Sequence, residues 1–223
     1  MAHLDLEEQE QLDQLKHFWK QYGNLITWLL TAVLAAYAGW NGWQYWQRSQ
    51  ATQASAMYDE VERIARSGDM AKLDLALAQM KDRFASTTYA MQAGFLAAKT
   101  YHEAGKTDAA KAALAWVAGA ADDEAYQAIA RLRLAGMLID AKALDEALKQ
   151  LAGNFPSDFV ALAADRRADI YMIQGKKAEA VAEYRKAYQG LSADVEYRRL
   201  IDVKLAALGE PSPVEIPAGG DKK

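Results

Sequence analysis

The sequence predicts an all-α protein in which a single N-terminal transmembrane helix is followed by a solenoid of helical hairpins. Its 223 residues are 52% hydrophobic with only four prolines, a composition typical of helical proteins with a packed core. A stretch of 27 residues between Lys20 and Arg48 carries no charge. Beyond it, turn signals recur at intervals of 37, 37 and 33 residues, which indicates repeated two-helix units.

The uncharged stretch has the length and polarity of a membrane-spanning helix. Its most apolar part runs from Leu25 to Trp40, and about 20 helical residues rise about 30 Å, the thickness of a bilayer's hydrocarbon core. A helix of this length in a soluble protein normally carries a charged face. Ala36–Ala38 resembles a signal-peptidase site, so a cleaved signal peptide is the main alternative. The acidic residues before the stretch and its apolar continuation past Ala38 favour an uncleaved signal anchor over 24–47.

Aromatic side chains mark both ends of the predicted anchor. Those at its C-terminal end are Trp40, Trp43, Tyr45 and Trp46. Successive helical residues are about 100° apart, so these four rings point around most of the helix rather than along one core-facing stripe. We expect them to form an interfacial belt at the membrane–water boundary. The opposite end carries Phe18, Trp19, Tyr22 and Trp28.

Residues 1–23 form a predicted acidic amphipathic segment. Residues 1–20 hold five acidic and two basic side chains, a net charge of −3, whereas the remainder has 24 basic and 25 acidic residues and a net charge of −1. One helical stripe collects Leu12, Leu15, Trp19 and Tyr22. Such a stripe is typical of an interfacial cap or of a docking surface. The basic residues that flank the anchor favour, by a narrow margin, a cytoplasmic N-terminus.

The remaining chain consists of predicted helices separated by short breaks near Gly68, Gly105, Lys142 and Gly175. Its residue spacing is that of tetratricopeptide repeats, in which small residues let paired helices approach, aromatic residues fill the space between hairpins and glycine permits the turn. The predicted repeat positions are Ala98, Tyr101, Gly105, Ala110 and Leu114, then Ala135, Leu138, Lys142, Ala147 and Leu151, then Ala168, Tyr171, Gly175, Ala180, Tyr184 and Ala187. Any bundle of helical hairpins places Ala and Leu at similar spacings, and this is the alternative.

These patterns set the expected domain limits. The repeat domain is predicted over 48–209, with a poorer first hairpin around Gly68 and a capping helix at about 193–208. After Gly209 the chain holds three of its four prolines, so we expect a disordered tail over 210–223.

Residues that would carry out chemistry are missing from the sequence. Cysteine is absent, the three histidines are scattered without metal-ligand spacing, and no glycine-rich phosphate loop occurs. Asp122 and Asp123 are interpreted as the acidic start of a helix rather than as a catalytic pair. The repeat domain has no basic block, which argues against nucleic-acid binding. We therefore expect no enzyme activity and no cofactor.

A repeat array offers instead a concave surface formed by the first helix of each hairpin. By repeat phase, this predicted binding face includes Gln92, Phe95, Lys99, Leu132, Gly136, Ile139, Asp165, Asp169 and Met172. Because the set is mixed and apolar, with acids at 165 and 169, we expect no clamp for a terminal carboxylate. An apolar groove suits an extended or partly unfolded chain, or a partner helix.

The sequence resembles the YfgM family of bacterial inner-membrane proteins. The resemblance rests on "EQLDQLKHFWKQYGN", on an anchor that ends in "GWQYWQ" and on the Ala-rich repeats, and it covers nearly the whole chain apart from the tail. It implies a single-pass inner-membrane protein with a cytoplasmic N-terminus and a periplasmic repeat domain. It also implies association with the SecYEG translocon and with PpiD, a membrane-anchored periplasmic chaperone.

Three functions follow as hypotheses. The first is a scaffold that links the translocon to a chaperone, contacts emerging unfolded polypeptides and sits in membrane lipid. The second is a membrane-tethered regulator that sequesters a cytoplasmic response protein through residues 5–22, a role that deletion of those residues would abolish. The third is a repeat adapter of opposite topology, which the nearly balanced flanking charges leave open.

Overall fold

The computed structural model describes the backbone of residues 6–210 and the side chains of residues 10–210. All regular structure in this range is α-helical, which confirms the predicted all-α class. The helices are α1 (Leu6–Ser67), α2 (Met70–Phe84), α3 (Thr88–Glu103), α4 (Thr107–Ala120), α5 (Glu124–Asp140), α6 (Leu144–Leu151), α7 (Ser157–Ile173), α8 (Lys177–Gln189) and α9 (Glu196–Ala207). Residues 1–5 of the predicted acidic segment and residues 211–223 of the predicted tail lie outside the described residues.

The chain divides into two compact units between Thr52 and Gln53. The described part of the first unit belongs to α1, the one helix among the described residues that is long and apolar enough to cross a membrane. Only 6% of its most apolar 18-residue window is buried. The hydroxyls of Thr27 and Thr31 donate to the carbonyls of Gly23 and Thr27, both at 2.8 Å, so neither threonine presents an unpaired donor to an apolar solvent.

The second unit is built from helical hairpins that turn where the sequence predicts breaks. Gly68, Gly105 and Gly175 have φ values of 72°, 73° and 73°, the left-handed conformation that glycine adopts without steric cost. The same conformation occurs at Lys142, with φ of 60°. After α3, α5 and α7 the turn is closed by a Schellman bond, for example from Ala143 N to the Leu138 carbonyl at 2.9 Å.

Small residues lie where paired helices meet. The alanines that were predicted as repeat positions are all buried: Ala98, Ala110, Ala135, Ala147, Ala168, Ala180 and Ala187. Of the predicted aromatic positions, Tyr101 and Tyr184 are buried and Tyr171 is half-buried against the core formed by α7, α8 and α9. Side chains from the end of α1, including Val61 and Ile64, join the core that continues into α7.

The helix α9 closes the array, close to the limits predicted for a capping helix. Its side chains Ile201 and Leu205 are fully buried in the core that α9 shares with α7 and α8. Its outer face leaves Leu200 and Val203 exposed.

The short helix α6 depends on an arginine from the preceding helix. The guanidinium of Arg131 donates to the carbonyls of Gln150 at 2.8 Å, of Asn154 at 3.1 Å and of Ala152, and it lies 4.1 Å from the centre of the Phe155 ring. Carbonyls at a helix C-terminus have no partner within the helix. Arg131 supplies these partners and thereby fixes the connection from α6 to α7.

The left-handed turn at Lys142 generates a stability prediction. A residue with a Cβ costs about 1–2 kcal/mol in this conformation, whereas glycine does not, although glycine loses more entropy on folding. We expect Lys142→Gly to raise the free energy of unfolding by about 0.5–1 kcal/mol. The control is Lys142→Ala, which removes the same charge and keeps the Cβ. Denaturant unfolding of the full chain in detergent tests this, and an equal effect of both substitutions would contradict it.

Candidate functional site

A cleft of about 490 Å³ runs across α3, α5 and α7 and reaches the start of α9. It is lined by His102, Ile129, Leu132, Arg133, Gly136, Met137, Asp140, Phe159, Leu162, Arg166 and Tyr197. A smaller cavity of about 140 Å³ shares three of these residues and adds Phe95, Ala98, Lys99 and Leu114. We call the two together the repeat cleft. Its volume lies in the range of sites that hold a small ligand or a short chain segment.

The repeat cleft combines an apolar lining with a cationic rim. Most of the lining is aliphatic or aromatic. Three cations, Lys99, Arg133 and Arg166, are exposed along it, and Asp140 is the one carboxylate among the described lining residues. The site therefore has the opposite charge to the whole chain, whose net charge is −4.

Arg133 is held in position by an aromatic stack. Its guanidinium carbon lies 4.8 Å from the centre of the Phe95 ring, and Phe95 stacks on Tyr126 at 6.0 Å with 27° between the planes. The side-chain amide of Gln92 donates to the Tyr126 hydroxyl at 3.2 Å. A cation–π contact of this kind occupies none of the N–H donors of the guanidinium, which remain available to an acceptor.

Gly136 lies on α5 in the wall of the repeat cleft, where an added Cβ would meet no atom within 4 Å. An alanine methyl group at this position would therefore displace no neighbour. Gly119 on α4 has the same free surroundings but does not line the cleft. The two glycines form a matched pair for experiments.

The structure brings together part of the predicted binding face. Phe95, Lys99, Leu132 and Gly136 all line the repeat cleft. Among the others, Gln92 contacts the aromatic stack, Ile139 is half-buried against the core, and Met172 is exposed outside the cleft.

The expectation that Asp165 and Asp169 face a groove needs correction. Asp165 is 0% exposed. Its carboxylate accepts hydrogen bonds from the Tyr197 hydroxyl and the Lys204 ammonium group, both at 2.6 Å. Asp169 accepts from Lys204 at 2.7 Å and from the Tyr184 hydroxyl at 2.6 Å. The physical reason is that α9 packs on this face of α7, so the two acids bind the capping helix instead of a ligand.

Burial and these hydrogen bonds both raise the pKa values of Tyr184 and Tyr197. Burial raises the pKa of Tyr184 far above its usual range, and the hydrogen bond and negative charge of Asp169 raise it further. The pKa of Tyr197 is raised in the same way by burial and by Asp165. Both hydroxyls therefore remain protonated donors at physiological pH.

Most of the cationic rim was missed from the sequence. On α3 and α5 some of the predicted positions line the cleft, whereas on α7 the lining residues are Phe159, Leu162 and Arg166 rather than Asp165, Asp169 and Met172. On α5, lining residues recur three and four positions apart, from Ile129 to Asp140. That spacing includes Arg133, so extending the stripe on α5 would have found it.

Neither the repeat cleft nor the rest of the described chain offers a metal site. No group of three or more His, Asp or Glu residues that could hold a metal ion occurs among the side chains of residues 10–210. The carboxylates of Asp165 and Asp169 already share the ammonium group of Lys204. We call these three residues, together with Tyr184 and Tyr197, the α7–α9 cluster.

Comparison with known proteins places the chain in a family. A family model described as a tetratricopeptide repeat-like domain matches residues 16–210. The chain is 31% identical over 204 residues to the ancillary SecYEG translocon subunit of Neisseria gonorrhoeae. The alignment covers 91% of this chain and 98% of that protein. It is 32% identical over 184 residues to the protein of the same name from Haemophilus influenzae, covering 82% and 90%. The chain belongs to the YfgM family.

The family assignment confirms the resemblance drawn from the sequence. The matched residues include the uncharged stretch of α1 as well as the hairpins from α2 to α9, so the family domain is not limited to the repeats. The repeat cleft lies entirely within the residues matched by the tetratricopeptide repeat-like family model.

The α7–α9 cluster generates the next prediction. Removing one partner of a buried ion pair costs about 3–5 kcal/mol, and the partial exposure of Lys204 reduces this, so we expect Lys204→Met to lower the free energy of unfolding by about 2 kcal/mol. The control is Lys177→Met, which removes an exposed charge from α8. Thermal unfolding of the full chain in detergent measures both. If the two variants unfold at the same temperature, the cluster does not hold α9 in place.

Proposed function

We propose that the protein is a non-enzymatic inner-membrane scaffold, ancillary to the SecYEG translocon, that contacts polypeptides through its repeat domain. Family membership supports the translocon, because both relatives bear that name and the alignments cover most of each chain. The observation that carries the contact with polypeptides is the repeat cleft, an apolar surface on the first helices of three successive hairpins. Such a surface binds chain segments by burying their apolar side chains.

The anchor in this proposal is the apolar part of α1. Its large apolar side chains are exposed from Leu25 to Trp46, a surface far larger than a monomeric soluble protein leaves in water. Lipid would cover this surface. The belt of Trp40, Trp43, Tyr45 and Trp46 would then lie at the membrane–water boundary, with residues 1–23 in the cytoplasm and the repeats in the periplasm.

The partners of the repeat domain in this proposal are PpiD and polypeptides that emerge from the translocon. A chaperone bound beside the channel would receive segments that the repeat cleft has held. The motivation is the repeat cleft together with the resemblance to the YfgM family.

Photocrosslinking from inside the repeat cleft tests the proposal. A photoreactive residue at position 136 should give adducts with secreted polypeptides or PpiD during active secretion, and the same residue at position 119 should not. In mild detergent, the full chain should copurify with SecYEG. Copurification without position-specific adducts would exclude the cleft as the contact surface. Absence of SecYEG from the purified chain would exclude the translocon role.

Protease accessibility tests the proposed topology. In intact spheroplasts, added protease should degrade the repeat domain and leave an N-terminal fragment that contains the anchor. A cytoplasmic protein of known location serves as the control for membrane integrity. Protection of the repeat domain until lysis would overturn the periplasmic assignment.

A further inference from the structure

We infer that the repeat cleft selects polypeptide segments in which carboxylate side chains alternate with large apolar side chains. This inference rests on the proposed function, and it adds the chemistry of the segment that is bound. It depends on the distribution of charge in the cleft, on the position of Arg133 and on the shape of the wall around Gly136.

Charge is the first argument. The chain has a net charge of −4, yet three cations and one acid line the repeat cleft. Arg133, Arg166 and Asp140 take no part in the ion pairs formed among the described residues, and the pair between Lys99 and Glu103 is long, at 3.8 Å, and exposed. An acidic segment would form ion pairs with Lys99, Arg133 and Arg166, and a basic segment would be repelled by them.

The position of Arg133 is the second argument. Because the guanidinium lies over the Phe95 ring, which itself stacks on Tyr126, the loss of side-chain entropy on binding a carboxylate is reduced. A guanidinium fixed in this way presents its N–H edge for a two-bond contact with a carboxylate, which is stronger than a contact with a neutral amide.

The apolar part of the repeat cleft supplies the third argument. Leu132 and Met137 on α5 lie in one cleft with Phe159 and Leu162 on α7, and Gly136 leaves space in the wall. In an extended segment, neighbouring side chains point in opposite directions. Large apolar side chains would enter the cleft while the intervening carboxylates remain at the cationic rim.

Peptide binding to the full chain in zwitterionic nanodiscs tests the inference. Three fluorescent peptides share their length and apolar residues and differ only at the intervening positions, which are Asp/Glu, Asn/Gln or Lys. Fluorescence anisotropy should give an affinity about tenfold higher for the acidic peptide than for the amide peptide, and the lowest affinity for the Lys peptide. Added salt should reduce the difference. Equal affinities for the acidic and amide peptides would overturn the inference.

Substitutions identify the residues that give the preference for the acidic peptide. The double variant Arg133→Gln/Arg166→Gln should lose the preference for the acidic peptide, and Arg133→Lys/Arg166→Lys should retain most of it. The control pair Arg83→Gln/Arg199→Gln removes two exposed charges outside the cleft and should behave as the unmodified chain. Melting temperatures verify folding. If the control pair loses the preference equally, net charge rather than the cleft is responsible and the inference fails.

A bulky side chain at position 136 shows whether the inference fails alone or together with the proposed function. Gly136→Leu should weaken the binding of all three peptides, whereas Gly119→Leu should not. Gly136→Leu can block binding while the acidic and amide peptides bind the unmodified chain with equal affinity. In that case the cleft receives polypeptides without charge selection, and only the inference fails. If Gly136→Leu leaves all binding unchanged, the cleft is not the site and both fail. Displacement of the acidic peptide by vesicles of anionic lipid would instead assign the cationic rim to lipid.

Discussion

Close approach of paired helices at alanine is the constraint on which the repeat domain depends. Two helices approach closely only where neither side chain exceeds a methyl group, and Ala110, Ala135, Ala147, Ala168 and Ala180 are 0% exposed at such positions. Replacing a buried alanine by a larger residue would separate the two helices of its hairpin. The first helices would then lose their alignment, and with it the continuous cleft that α3, α5 and α7 form.

The capping helix determines which face of α7 remains available. An array of hairpins ends with an unpaired apolar face, and α9 covers it with Ile201 and Leu205. Lys204 lies one residue before Leu205 and reaches both Asp165 and Asp169. The capping helix is therefore fixed by apolar burial and by a cluster with several partners. Because α9 occupies this face, Arg166 rather than Asp165 borders the cleft, and the rim becomes cationic.

Local signals in the sequence predicted the fold better than they predicted the site. The turns at Gly68, Gly105 and Gly175 and the buried alanines are local in origin, because each reflects a backbone conformation or a contact within one hairpin. Other contacts depend on distant elements. Asp165 meets Lys204 39 residues later, and Arg131 reaches the carbonyl of Asn154 beyond α6, so no pattern within one helix reveals either partnership. Arg166 was missed for the same reason, because its place at the cleft follows from the packing of α9 on the other face of α7.

Two glycines inside helices illustrate how packing and function differ in their demands. At Gly94 an added Cβ would lie 2.5 Å from a Val117 methyl carbon and 3.1 Å from the Trp116 ring, so close packing requires glycine there. At Gly136 an added Cβ would meet nothing, although glycine within a helix costs about 1 kcal/mol relative to alanine. Packing therefore does not require glycine at position 136, and the same holds for Gly119 on α4, which lies outside the repeat cleft. The two positions differ in their place in the fold: under the proposed function, a larger side chain at position 136, unlike one at position 119, would reduce the space that a bound segment needs.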